Sequence, residues 1–168
     1  MMTKKILVAL GAFALPVGLL SVNALPAEAA GGPVKYAQAC EALGYKKVVQ
    51  VVDLRKDGFG NKIGELRTMR KTGASSNKWC TYLKKTGNTV GNNNVVKLHV
   101  EVLTKSSGKF STKSASLTET VKYYSSSFAY TSLDGAAGTS HRTILYASTG
   151  MKSASSSTWY TTATTMIG

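Results

Sequence analysis

The stretch from Ile63 to Lys85 constrains this chain more than any other. It reads Ile-Gly-Glu-Leu-Arg-Thr-Met-Arg-Lys, then Thr-Gly-Ala-Ser-Ser-Asn, then Lys-Trp-Cys-Thr-Tyr-Leu-Lys-Lys. Two runs of strand length flank a turn-rich segment, which predicts a β-hairpin. The second run carries Cys80, one of only two cysteines, and the hairpin holds six basic residues: Arg67, Arg70, Lys71, Lys78, Lys84 and Lys85. Covalent closure and positive charge are therefore expected in one element.

The rest of the chain extends the same pattern. Lys46 to Leu54 is a β-branched run and predicts a strand. In Val96-Lys97-Leu98-His99-Val100-Glu101-Val102 apolar and polar residues alternate strictly, so Val96, Leu98, Val100 and Val102 should face a core and His99 should face water. Tyr36 to Leu43 suggests one short helical turn before Gly44. Thr104 to Thr118, rich in Ser, Thr and Lys, reads as an extended loop or weak edge strand. Strands are expected again in Val121–Ser132, where aromatic residues return, and in Arg142–Ala147. Short strands joined by turn signals, with little helical periodicity, predict an all-β fold: a small antiparallel β-sandwich or barrel closed by one disulfide.

Residues 1–29 read as a cleaved signal peptide. Lys4 and Lys5 precede an uncharged run from Ile6 to Ala27, and Ala27-Glu28-Ala29 places small residues at the cleavage spacing. Pro16, Gly11 and Gly18 interrupt that run, which argues against an uncleaved anchor of about 20 residues. Residues 30–35 are expected to be a flexible N-terminus and residues 36–168 a single β domain. The C-terminal Thr-Thr-Met-Ile-Gly contains no stop-transfer segment, so no membrane span is expected after cleavage. The full chain carries 21 basic and 8 acidic residues; loss of Lys4, Lys5 and Glu28 changes its formal charge from +13 to +12. Such a charge favours anionic partners without naming one.

In an exported chain the pair Cys40 and Cys80 reads as a disulfide. Two distant cysteines fall short of the four ligands of structural zinc. Asp53, Asp57, Asn61 and Glu65 invite comparison with a calcium loop, but counting from Asp57 places Phe59 at the third position and Lys62 at the sixth, where oxygen ligands and glycine are needed. No metal site and no cofactor are expected.

Catalytic constellations are equally sparse. His99 and His141 are the only histidines. Ser140 and His141 are neighbours whose side chains would point to opposite faces of a strand. Glu41, Asp53, Asp57, Glu65, Glu101, Glu119 and Asp134 could supply a carboxylate pair for sugar hydrolysis, but sequence places no two of them at catalytic separation. There is no Gly-x-Ser-x-Gly, His-Glu-x-x-His or phosphate-loop signature. A non-enzymatic protein is expected.

Within the hairpin, alternation places Glu65, Arg67 and Met69 opposite Leu66, Thr68 and Arg70, and Trp79, Thr81 and Leu83 opposite Cys80, Tyr82 and Lys84. Neither strand segregates its charges, so the six bases are either a solvated surface or a polyanion-binding patch. Trp79 and Tyr82 fall on opposite faces, which argues against base stacking, and export argues against nucleic acid as the main ligand.

Cys40 followed by Gly44-Tyr45 and a valine-rich strand, Gly64-Glu65-Leu66 opening a second strand, and Asn77 just before Cys80 give the chain a likeness over Cys40 to Leu83. In these residues it resembles the secreted spore-associated protein A family of actinobacteria. The resemblance implies an extracellular protein found with spores or envelope and supplies no catalytic residues. The resulting expectation is a secreted envelope- or spore-associated protein held to anionic cell-wall or spore-surface polymers by charge. A secreted inhibitor or antimicrobial protein and a small extracellular hydrolase are the alternatives.

Overall fold

The structure, a computed structural model, describes residues 32–56, 59–71, 78–106, 109–131 and 142–167, with 104–106, 109–110, 131, 142–144 and 167 described by backbone alone. The expected signal peptide, Asp57, Asn77, Asp134 and the Ser140-His141 pair lie outside the described residues. Among the described residues there is no α-helix. The strands are β1 (Val34–Tyr36), β2 (Tyr45–Arg55), β3 (Lys62–Lys71), β4 (Lys78–Lys85), β5 (Asn94–Ser106), β6 (Lys109–Val121), β7 (Ser127–Thr131), β8 (Arg142–Ser153), β9 (Tyr160–Thr161) and β10 (Thr165–Ile167).

They form two antiparallel sheets. The first has the order β1-β7-β4-β3-β2, and the second β10-β8-β5-β6 with β9 also pairing β8. Leu66, Phe128 and Tyr130 of the first sheet pack with Leu98, Val100, Leu117 and Leu145 of the second. Leu83 and Ile63 similarly meet Val96 and Met151 nearer the other end. This is a sandwich, as expected. Val96, Leu98, Val100 and Val102 are all buried, because alternation lets one face of β5 meet water and the other the opposing sheet.

The predicted hairpin is β3–β4, paired from Gly64 opposite Lys85 to Arg70 opposite Trp79. Its mixed faces have a structural cause. β1 and β2 occupy opposite edges of the first sheet, so the chain between them crosses that sheet's outer face. The crossing contains a 3-10 turn over Cys40–Leu43, and the Cys40–Cys80 disulfide pins it to β4, the middle strand. Gly44 ends this turn at φ +84, and its N–H donates to Glu41 O at 3.0 Å. That left-handed conformation suits glycine because it has no Cβ. Beneath the crossing Cys40, Tyr45, Met69, Cys80 and Tyr82 form a second apolar cluster. The hairpin is thus covered on both faces.

Of the two readings of Thr104 to Thr118, extended loop or weak edge strand, the strand holds for the described residues: 104–106 end β5 and 109–118 belong to β6, each strand 13 residues long and paired along its length. β6 lies at an edge with Leu117 buried, so Ser, Thr and Lys suffice elsewhere along it. Val34 and Lys35, assigned to a flexible start, instead belong to β1, which extends the sheet beside β7. Among the described residues no helix is long and apolar enough to cross a membrane. The disulfide is compatible with an exported chain.

Candidate functional site

The six hairpin bases do not form one patch. Lys78 and Lys84 stand six residues apart on β4, about 20 Å at strand rise, so the bases divide between the turn end of the hairpin and its open end.

At the open end Lys85 is not available to a polymer: it is only 2% exposed. Leu83 and Lys85 fall on the same face of β4 by alternation, and Lys85 Nζ donates to the carbonyls of Asn92 and Val121. Asn92 lies just before β5 and Val121 ends β6, so this ammonium ties the first sheet to the second. Burial pushes its pKa down to about 8. Its assignment to the binding patch is corrected on this ground. Lys84, one residue earlier, faces outward and is exposed.

Arg67 is engaged in a charge network on the outer face. Its Nε donates to Glu65 Oε2 at 2.6 Å, and its Nη1 lies 3.7 Å from Glu41 Oε1. Lys62 Nζ bridges Glu65 Oε1 at 2.6 Å and Asp53 Oδ1 at 2.7 Å, and Arg55 Nη2 donates to Asp53 Oδ2 at 2.6 Å. The Lys62 hydrogen bond holds the Asp53 carboxyl below its ordinary pKa. Burial pushes Glu65 up, but Lys62 and Arg67 more than offset it and its pKa is lowered. Three carboxylates are therefore spent on Arg55, Lys62 and Arg67.

The turn end is different. Lys47 on β2 stands directly opposite Arg70 on β3, Lys71 pairs in register with Tyr45, and Lys46 is the extra residue of a bulge between them. Lys78 opens β4 one position from Trp79, the register partner of Arg70. Arg70 lies over the Trp79 ring at 5.8 Å from its centroid, and Lys71 over the Tyr45 ring at 5.8 Å. Five bases, Lys46, Lys47, Arg70, Lys71 and Lys78, thus lie at this end of the sheet, with Arg70 on the side of Trp79 and the second sheet and Lys71 and Lys78 on the outer side with Tyr45 and Cys80. Backbone register brings Lys105 opposite Arg142 at the corresponding end of the second sheet. Sequence reading missed Lys46 and Lys47 because they precede the hairpin, although two lysines opening a strand were a visible signal.

Among the described residues, the acids of the first sheet and its connections lie elsewhere. Asp53 and Glu65 are at the open end, Glu41 is on the crossing turn, and Glu119 binds Lys35 at 3.6 Å and Ser126 Oγ at 2.8 Å. Two cations directly opposed on neighbouring strands destabilise a sheet. An anion placed between them reverses that effect.

His99 faces outward between Lys97 and Glu101, as alternation predicts. Its Nδ1 lies 2.7 Å from Ser116 Oγ, and its Nε2 lies 3.9 Å from Glu101 Oε2. A serine, a histidine and a carboxylate thus meet on the second sheet. The carboxylate is too distant to orient the imidazole by a hydrogen bond, so nucleophile, base and orienting group are not assembled. Among the described residues no group of three or more His, Cys, Asp or Glu side chains could hold a metal ion.

No family model, curated protein or solved structure matches this chain.

Proposed function

We propose that this is a secreted, non-enzymatic envelope- or spore-associated protein held on anionic surface polymers by the turn end of its central hairpin. The observation that carries this reading is the cross-strand opposition of Lys47 and Arg70, with Lys46, Lys71 and Lys78 beside them. The signal-like N-terminus, the +12 charge after its removal and the resemblance to spore-associated protein A point the same way. Polymers bearing phosphate or carboxylate supply the complementary charge.

The physics sets the form of the interaction. An exposed ion pair is worth about 0 to 1 kcal/mol and is screened over about 8 Å at physiological salt. Retention therefore depends on several contacts made together, and the five bases along this end of the sheet provide them.

The test is retention of the purified protein on isolated cell walls or spores across a salt series. The wild type should bind at low salt and elute steeply as salt rises. A Lys46→Glu, Lys47→Glu, Lys78→Glu variant should elute much earlier while keeping its circular dichroism spectrum and its disulfide. Equal retention of that variant, or retention of the wild type in high salt, would refute the reading.

A further inference from the structure

A groove of about 430 Å³ opens on the outer side of the first sheet, away from the basic end. Glu41 and Ala42 of the crossing turn form one wall, Tyr123 and Tyr124 the other, with Tyr82 and Lys84 of β4 between them. Tyr123 is 57% exposed and Tyr124 45%. Both are held on a fixed backbone. Lys85 N–H donates to Tyr123 O at 2.9 Å, Ser125 N–H to Leu83 O at 2.9 Å, and Tyr124 forms a β-bridge with Lys84. The next segment is tied in by Gly91 N–H, which donates to Lys122 O at 2.9 Å.

Two large rings exposed to water on a pinned backbone serve no core. They present apolar area with little side-chain entropy to lose on binding. The polar groups are also fixed: the Tyr82 hydroxyl donates to Glu41 Oε1 at 2.6 Å, which orients the carboxylate at the rim. The groove thus combines aromatic rings, a carboxylate acceptor, the ammonium donor of Lys84, and a small apolar lining from Ala39, Ala42 and Val90. Its size falls within the range of small-ligand sites, and its few convergent polar groups match their usual composition.

From this combination we infer that the groove binds an N-acetylated pyranose unit of a glycan. The tyrosine rings suit the apolar C–H face of the sugar ring. The acetamido group carries an N–H donor, a carbonyl acceptor and a methyl group, complementary to Glu41, Lys84 and the alanine-valine lining. The inference extends the surface reading above but stands on different residues and a different interaction. Such units occur in chitin-like glycans and in the murein backbone.

Binding is to be measured by calorimetry on the full exported chain in about 0.5 M NaCl, where the Debye length falls to about 4 Å. The probes are chitotetraose, which is uncharged, the murein disaccharide, and cellotetraose, which has the same ring without the acetamide. Saturable binding of chitotetraose or the murein disaccharide, weakened about tenfold or more by Tyr123→Ala with Tyr124→Ala, supports the site. Which of the two binds identifies the source. An unchanged thermal melt of the double variant confirms that its fold is intact. Binding of neither probe, or unchanged affinity in the double variant, overturns the proposal. Equal binding of cellotetraose overturns the acetamido assignment. Because chitotetraose carries no charge, failure here leaves the basic-end reading standing, and failure of salt-sensitive retention leaves this one standing.

Discussion

Tyr82 donates its hydroxyl hydrogen to Glu41 Oε1 at 2.6 Å, one residue from the point where Cys40 is bonded to Cys80. Hydrogen bond and disulfide fasten the same crossing segment to β4, one by chemistry that persists on unfolding and one by chemistry that does not. Tyr82 is buried and Glu41 partly exposed, so replacing Tyr82 by Phe should cost about 1 kcal/mol in urea denaturation. No measurable loss would show that the contact is exchanged for water without penalty.

The disulfide should contribute more. It joins residues 40 apart, and closing such a loop stabilises the native state by about 4 kcal/mol in the chain-entropy description. A Cys40→Ser, Cys80→Ser variant should therefore lose much of the stability of a domain this size. Thiol labelling of the unreduced protein should find no free cysteine. Stoichiometric labelling would show that the bond is not made.

Lys85 should give the protein an unusual alkaline response. Burial holds its pKa down at about 8, against about 10.4 for an unfolded lysine. Between those values the unfolded chain binds more protons than the native one, so stability rises with pH across that window. The penalty is present in full below about pH 8. Above pH 10 Tyr82 opposes this trend: burial, aided by Glu41, raises its pKa, so the unfolded phenol ionises first and stability falls. Comparing wild type with Lys85→Met isolates the lysine. The stability difference between them should change between pH 8 and pH 10, and a constant difference would sink the assignment.

At the basic end, stability and binding should move in opposite directions. Lys47→Glu replaces a like-charge pair with an opposite-charge pair facing Arg70, which should stabilise the fold by about 0.5 kcal/mol at low salt. The same change should weaken retention on anionic walls. A variant that is both less stable and equally well retained would contradict the electrostatic account on both counts.

Much of the fold is legible locally. The alternation in β5 named its four core residues because side chains of a strand take opposite faces by geometry alone. Two turn-flanked runs named the hairpin, and two cysteines in a chain expected to be exported named the disulfide. The segment that forms β6 is ambiguous in sequence between loop and weak edge strand because an edge strand needs little apolar sequence: its pairing energy comes from β5, which lies beside it only in the folded state.

The binding candidate was legible in kind but not in membership. Sequence by itself determined that Lys84 and Lys85 take opposite faces of one strand and that the hairpin is basic. Only tertiary structure decided that the second sheet covers the face carrying Lys85, that Glu41 and Glu65 engage Arg67, and that β2 brings Lys46 and Lys47 beside Arg70, Lys71 and Lys78. The reason is that strand geometry is a property of neighbours in sequence, whereas the availability of a charge depends on which other strand, carboxylate or carbonyl the fold places against it.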